Sequence, residues 1–129
     1  MTKKTRQQVH DKFGGRCAYC GCELTKGWHV DHVLPINRVL KRSDKGLYTD
    51  SECEHPERNT EDNYYPSCAS CNMMKTNAPI EHFRGVIAAF MQSLNKYSPQ
   101  YRFAKRYGLI EETAKPVVFY FETYKTEQQ

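Results

Sequence analysis

Two Cys-x-x-Cys pairs constrain the fold of this chain more than any other feature of its sequence. Cys17 and Cys20 form the first pair, and Cys68 and Cys71 form the second. Each pair places two thiolates on one tight turn, and two such turns can complete a tetrahedral zinc site. Zinc would be structural there, because four thiolates leave no coordination position open. The alternative is two separate redox-active or disulfide-bonded pairs.

A metal site suits the composition of the chain. It has 129 residues, of which 39% are hydrophobic, enough for one domain with a modest core. Small domains of this kind often depend on a metal for part of their folding free energy. No apolar run approaches the roughly 18 residues that cross a membrane, so no membrane partner is expected. The charged residues 1–6 do not resemble a secretory signal, and we expect a reducing, cytoplasmic setting.

The net charge of +4 is unevenly distributed. Residues 1–45 carry ten Lys and Arg against four Asp and Glu, whereas residues 46–62 carry one against six. A basic first third followed by an acidic segment is compatible with a nucleic-acid-binding face. A mixed, solvated surface explains the same distribution equally well, so charge alone does not identify a partner.

Hydrophobic spacing and turn residues predict an α+β chain. We expect residues 1–77 to form the functional core and residues 78–129 to form a helical extension packed on or beside it, within one compact domain. The predicted elements are a helix over 5–13, a strand over 28–34, a long loop over 37–62, a brief helix over 71–76, a helix with an apolar stripe over 77–94, a helix over 98–108 and a terminal strand over 117–121.

Polar residues near the cysteine pairs indicate a second kind of metal site. Asp31 offers a carboxylate oxygen and Asn72 an amide oxygen, and such ligands suit Mg²⁺ or Mn²⁺. His32 can accept a proton from water, because imidazole titrates near neutral pH. Adjacent residues of an ideal strand face opposite sides, so the strand must bend or end here for Asp31 and His32 to share a site. Pro35 is consistent with such an end.

The order of these motifs resembles that of the HNH endonucleases. An Asp-His-x-x-Pro string precedes an Asn that stands five positions before a Cys-x-x-Cys-Asn-x-x-Lys string. The resemblance covers residues 13–77 and not the chain beyond. It implies a ββα-metal core with a four-cysteine zinc site, and hydrolysis of DNA phosphodiester bonds with one Mg²⁺ or Mn²⁺. The residues that carry the match are Asp31, His32, Pro35, Asn63, Cys68, Cys71, Asn72 and Lys75.

The resemblance also implies a role for each matched position. His32 would be the general base, and Asp31 and Asn72 would hold the catalytic cation. Asn63 would fix the loop that orients the base. Many family members carry a histidine at the position of Asn72 and another one helical turn later, where this chain has Thr76. Fewer protein ligands imply weaker metal binding and a preference for Mg²⁺ or Mn²⁺. A second departure is the acidic segment 46–62, where family members often have a short Gly-rich stretch.

Several side chains outside this set are candidates for DNA contacts, and each has a simpler interpretation as a solvated or packed residue. His29, two residues before Asp31, could be a third metal ligand, a phosphate contact or a packed strand histidine. Cys22 and Cys53 are either spare thiols or, with His55, part of a second site. The candidate nucleic-acid contacts are His29, Arg38, Lys41, Arg42, Lys75 and Arg84.

Two functions remain open at this point. The first is a DNA endonuclease acting alone, as a homodimer or within a larger DNA-processing complex, as in phage-encoded proteins of this type in bacterial hosts. The second is a non-catalytic zinc-ribbon module that binds DNA or another protein. The set of Asp31, His32, Asn63 and Asn72 favours the first function, because a pure ribbon has no need of these side chains.

Overall fold

A computed structural model describes residues 1–125 and gives a mixed α+β architecture. The chain divides into two units. Unit 1 comprises Met1–Ile80 together with the segment that starts at Phe119, and unit 2 comprises Glu81–Val118. In the described part of the chain, no helix has both the length and the apolar character needed to cross a membrane.

Unit 1 begins with helix α1, Lys3–Asp11. The Thr2 hydroxyl caps it by accepting a hydrogen bond from the backbone N–H of Thr5 at 3.1 Å. Val9 is the buried residue of this helix. The chain then turns through Gly14 and Gly15, whose φ angles of 69° and 79° favour glycine. The predicted helix is therefore present, and it starts and ends two residues earlier than expected.

A small antiparallel sheet and the helix after it form the frame of unit 1. Strand β1, His29–His32, pairs with the later strand β4, Tyr64–Ser67, and places His32 opposite Tyr64. Helix α2, Ala69–Lys75, follows β4 directly. Its N-cap is Cys68, whose sulfur accepts the N–H of Cys71 at 3.4 Å. The second cysteine pair thus lies at the junction of strand and helix.

The prediction of a long loop over residues 37–62 is wrong. The region contains a two-stranded antiparallel ribbon of β2, Arg38–Ser43, and β3, Gly46–Cys53. Two short 3₁₀ turns, Pro56–Arg58 and Glu61–Asn63, follow it. No residue of either strand is buried. Because neither face packs on a core, the sequence lacks the alternation of polar and apolar residues by which a strand is recognised.

The terminal strand predicted over residues 117–121 is also wrong. The segment ends in a short helix, α6, Tyr120–Thr123. Its backbone N–H groups donate to carbonyl groups of the first cysteine turn. Phe121 N donates to Ala18 O at 2.8 Å, and Tyr120 N donates to Tyr19 O at 3.0 Å. The Phe119 side chain is 2% exposed. Phe119 therefore fills part of the core of unit 1, and residues 119–125 group with unit 1 rather than with unit 2.

Unit 2 is helical, as expected for this region. Helix α3, Ile80–Ala88, runs into it from the end of the first segment, and α4, Phe90–Tyr97, and α5, Pro99–Arg106, follow. The predicted apolar stripe is thus shared by two helices rather than one. The Ser98 hydroxyl caps α5 by accepting from the N–H of Tyr101 at 3.1 Å.

Candidate active site

The four cysteines of the two pairs converge into a site that could hold a metal such as zinc. The sulfur atoms of Cys17, Cys20, Cys68 and Cys71 all lie within 4.8 Å of one another. The Cys20 and Cys68 sulfurs are 3.8 Å apart. A tetrahedron with zinc–sulfur bonds of about 2.3 Å has edges of about 3.8 Å, so the spacing fits zinc. Among the described residues, no other group of three or more Cys, His, Asp or Glu comes as close together.

The surroundings favour thiolate at Cys17, whereas burial raises the pKa of Cys20, and the hydrogen bond with Cys17 together with burial raises the pKa of Cys71. Hydrogen bonds from Cys71 and from backbone amides, including that of Tyr19 at 3.4 Å, lower the pKa of Cys17 to about 4. Burial and the sulfurs of Cys20 and Cys68 raise the pKa of Cys22 to about 12. Cys22 thus lies beside the cluster as a protonated thiol. Cys53 lies at the end of β3, opposite Arg38, and joins no metal cluster with Cys22 in the described chain.

A cleft of about 740 Å³ brings together the candidate catalytic residues of unit 1. Asp31 and His32 line it from the end of β1, and Asn72 lines it from α2. Strand β1 ends at His32, which allows these two neighbouring side chains to serve one site. The hydrogen bonds of Asn72 with described residues come from its backbone, so its side-chain amide is available to a ligand.

Asp31 is held in place by two buried side chains. Its exposed fraction is 7%, and its Oδ2 accepts a hydrogen bond from the Tyr19 phenol and lies 3.1 Å from Nζ of Lys75. Burial and the Asp31 carboxylate raise the pKa of Tyr19, so the phenol stays protonated and donates. Both contacts fall on Oδ2, so among the described residues Oδ1 is left for a ligand in the cleft. The Asp31 carboxylate is thus oriented through its contacts at Oδ2.

The His32 ring is contacted by Asn59, in the segment before β4, and by Tyr64, the first residue of β4. Its Nε2 lies 2.9 Å from Oδ1 of Asn59, which also accepts the Tyr64 hydroxyl at 2.8 Å. The Tyr64 ring packs edge-on against the imidazole at a centroid distance of 5.3 Å. An amide oxygen only accepts, so this contact is a hydrogen bond when Nε2 carries the hydrogen. In the neutral tautomer with the hydrogen on Nε2, Nδ1 keeps its lone pair and can accept a proton.

Asn63 is buried and joins the two sides of the loop after β1. Its Oδ1 accepts from Leu34 N at 2.8 Å, and its Nδ2 donates to Leu34 O at 2.9 Å and to Arg58 O at 2.7 Å. The backbone repeats the link, since Val33 N donates to Asn63 O at 3.1 Å. Its side chain thus bonds to the loop, and among the described residues it makes no hydrogen bond to the imidazole.

The candidate DNA contacts fall in different places. Arg38 lines the cleft, and Arg42 is exposed on the ribbon. Lys41 is tied to Asp50 at 2.6 Å and to Glu52 at 3.3 Å. His29 is exposed at the start of β1, opposite Ser67.

Two of these candidates have other partners. The Lys75 side chain is fully buried and its ammonium serves Asp31 and the carbonyl of His32, at 3.1 and 3.4 Å, so this side chain is held in the interior. Arg84 belongs to unit 2, where it pairs with Glu81 at 2.9 Å and donates to Val117 O at 2.7 Å.

Three residues of this site were not predicted from the sequence. Tyr19 lies inside the first cysteine pair, where it reads only as a spacer. Asn59 belongs to the acidic segment, in which no spacing ties it to His32. Glu54 lines the cleft and accepts from Asn37 Nδ2 at 3.3 Å. All three act through contacts between residues distant in the chain, for which a single sequence carries no signal.

Comparison with known proteins identifies no relative of this chain. No protein-family model, no curated protein and no solved structure matches the chain.

Proposed function

We propose that this chain is a metal-dependent endonuclease of the HNH type, which hydrolyses phosphodiester bonds in DNA with His32 as general base. The proposal rests chiefly on one observation, the placement of Asp31, His32 and Asn72 along one cleft. Two antiparallel strands followed by a helix carry these residues, in the order expected of a ββα-metal core. Homodimerisation and recruitment into a larger DNA-processing complex belong to the same proposal.

The chemistry follows from the orientation of His32. Its Nε2 is committed to Asn59, so Nδ1 is free to take a proton from a water molecule. The hydroxide that remains attacks the phosphorus and forms a new P–O bond. The bond to the 3′ oxygen breaks, and that oxygen is protonated by solvent water. The products are a 5′-phosphate and a 3′-hydroxyl, and the imidazolium returns its proton to solvent.

The cleft offers ligands that suit a hard divalent cation. Oδ1 of Asp31 and the amide oxygen of Asn72 are the protein oxygens we assign to Mg²⁺ or Mn²⁺, with water completing the shell. When bound there, the cation would neutralise charge on the scissile phosphate and on the leaving oxygen. With only two protein ligands, this cation site would be weak. Many family members have a further histidine where this chain has Thr76.

The four-cysteine site has a separate part in this proposal. Zinc held by Cys17, Cys20, Cys68 and Cys71 would be structural, since four thiolates complete its coordination. It would join the turn after α1 to the junction of β4 and α2. The elements that carry Asn72 would thereby be fixed relative to the N-terminal part of unit 1, without contact between zinc and substrate.

One observation favours a second candidate function. The Asp31 carboxylate is buried and engaged by Lys75, which is also how a purely structural ion pair would look. Under this alternative the chain is a non-catalytic zinc module that binds DNA or a protein. The two candidates differ in whether His32 is needed for any reaction.

Plasmid nicking by the zinc-loaded protein separates these candidates. Supercoiled DNA is incubated with wild type, His32→Ala and the control His82→Ala, which removes an exposed histidine of unit 2. We expect Mg²⁺- or Mn²⁺-dependent nicking by wild type and control, and none by His32→Ala at unchanged zinc content and circular dichroism. Equal nicking by all three overturns the mechanism. No nicking by wild type with either cation supports the non-catalytic module.

A further inference from the structure

The ribbon of β2 and β3 exposes apolar side chains that none of the described residues of unit 1 covers. Leu40 is 64% exposed and Leu47 is 66% exposed. An isolated two-stranded ribbon is marginally stable in water, and exposed leucines on it add a cost that a bound partner would relieve. The ribbon follows directly on Asn37 in the wall of the cleft.

The register of the ribbon shows which side faces the cleft. Leu40 pairs with Thr49, and Arg42 pairs with Leu47, so these four side chains lie on one face. Leu40 and Thr49 both line the cleft that holds His32. Arg42 and Leu47 continue the same face outward toward the turn. A polymer seated in the cleft would therefore run along this face.

Charge is segregated between the two faces. Lys41 lies on the opposite face and is neutralised by Asp50 and Glu52. Arg42 has no carboxylate partner among the described residues and lies on the cleft side, so the net charge of that face is positive. In the turn, the charges of Asp44 and Lys45 offset each other. The face continuous with the cleft is thus apolar and cationic, which suits a polyanion with apolar surface.

We propose that the β2–β3 ribbon is a DNA-binding arm that enters the major groove of a duplex beside the scissile phosphate. This inference deepens the proposed function and rests on it for the position of that phosphate. The major groove of B-DNA admits a two-stranded ribbon, whereas that of an RNA duplex is too deep and narrow for side chains to read. Arg42 contacts a phosphate or a guanine edge, and Leu40 and Leu47 contact thymine methyl groups.

Binding to a duplex tests the arm without relying on cleavage. Fluorescence anisotropy with a short labelled DNA duplex, without Mg²⁺ or Mn²⁺, compares wild type with the double variant Arg42→Ala/Leu47→Ser. The control Tyr48→Ser removes an exposed aromatic from the opposite face. We expect the double variant to bind about tenfold more weakly, with a salt slope smaller by about one, and the control to bind as wild type does.

Two further measurements separate this inference from the proposed function. Hydrolysis of bis(p-nitrophenyl) phosphate, a diester too small to reach the ribbon, reports on the cleft alone. If wild type and double variant hydrolyse it equally while only the variant loses duplex binding, the arm is supported. If wild type hydrolyses no diester while the double variant still loses duplex binding, the nuclease is refuted and the ribbon remains a DNA-binding arm without a scissile phosphate beside it.

Three results would overturn the arm. The first is equal duplex affinity of wild type and double variant, and the second is tighter binding of a matched RNA duplex. The third is a double variant whose DNA affinity is unchanged but whose monomer–dimer equilibrium, measured by sedimentation, differs from that of wild type. That result would assign the face to a second copy of this chain.

Discussion

The ammonium of Lys75 lies 3.1 Å from Oδ2 of Asp31, and the two side chains are 0% and 8% exposed. This pair joins the last residue of α2 to the third residue of β1. It therefore connects the element that carries Asn72 to the strand that carries His32. A buried pair of this kind fixes geometry because a charge that left its partner would stay buried and uncompensated.

Removal of Lys75 should strongly destabilise the fold. In Lys75→Met the Asp31 carboxylate stays buried without its counter-charge, and we expect the free energy of unfolding to fall by about 3 kcal/mol. Denaturant titration of the zinc-loaded protein measures this change. The control is Lys41→Met, which breaks an exposed pair and should lower the free energy of unfolding far less than Lys75→Met does. The double variant Asp31→Asn/Lys75→Met should regain part of the loss, and a loss no larger than in the control contradicts the pair's role.

Substitution of Asn59 should act through the tautomer of His32. Asn59→Ala removes the acceptor of Nε2–H, and we expect kcat for DNA nicking to fall about tenfold with an unchanged melting temperature. Asn59→Asp places a carboxylate beside the ring, which favours imidazolium and should move the acid limb of the pH–rate profile to higher pH. The pH–rate profile is the decisive readout, since a purely structural Asn59 would leave its shape unaltered in both variants.

Metal content should depend on four of the six cysteines. We expect one zinc per chain in wild type and almost none in Cys68→Ser, with loss of the cooperative thermal transition, because folding and metal binding are coupled. Cys53→Ser is the matched control and should keep its zinc, as should Cys22→Ser. Elemental analysis with thermal denaturation checks these outcomes. Retention of zinc by Cys68→Ser, or its loss from Cys53→Ser, would contradict the assignment of ligands.

Acid should weaken unit 2 through Glu112. Its carboxylate accepts from Asn95 at 2.6 Å, Tyr101 at 2.7 Å and Lys105 at 3.1 Å, and these hydrogen bonds lower its pKa from 4.5 to about 2. A lowered folded-state pKa means that the stabilisation is present above pH 4.5 and is lost as the pH falls to about 2.

Nuclear magnetic resonance of the full chain can follow this loss. The Asn95 side-chain amide should titrate with a midpoint near the pKa of about 2. Glu112→Gln should abolish that titration, whereas the control Glu111→Gln should retain it. A midpoint at the ordinary value of 4.5 would mean that the three hydrogen bonds are absent in solution.

The sequence predicted best those features that depend on local spacing. The two cysteine pairs converge as expected, because each pair needs only its own tight turn and the sheet of β1 and β4 supplies the rest. Helices α1 and α5 could be located from their end residues, Gly14 and Ser98. Asp31, His32 and Asn72 share a cleft, but the nuclease assigned to them remains a proposal.

What the sequence did not predict depends on burial and on distant contacts. The ribbon of β2 and β3 leaves no periodic pattern, because solvent reaches both of its faces. The β-branched and aromatic residues 117–121 were interpreted as a strand, since high β-propensity and burial in a core select the same residue types. The burial of Lys75 was unpredictable for the opposite reason: a lysine is almost always solvated, and only its pairing with Asp31 reverses this.

The return of the chain at Phe119 makes unit 2 a cassette inserted within unit 1 rather than an appendage. The Phe119 ring lies 5.7 Å from the ring of Tyr19, whose hydroxyl holds Asp31. A truncation before Phe119 would thus loosen the proposed catalytic carboxylate from the far end of the sequence. Exchange of residues 81–118 for a short linker would keep Phe119 in the chain and with it the contact to Tyr19.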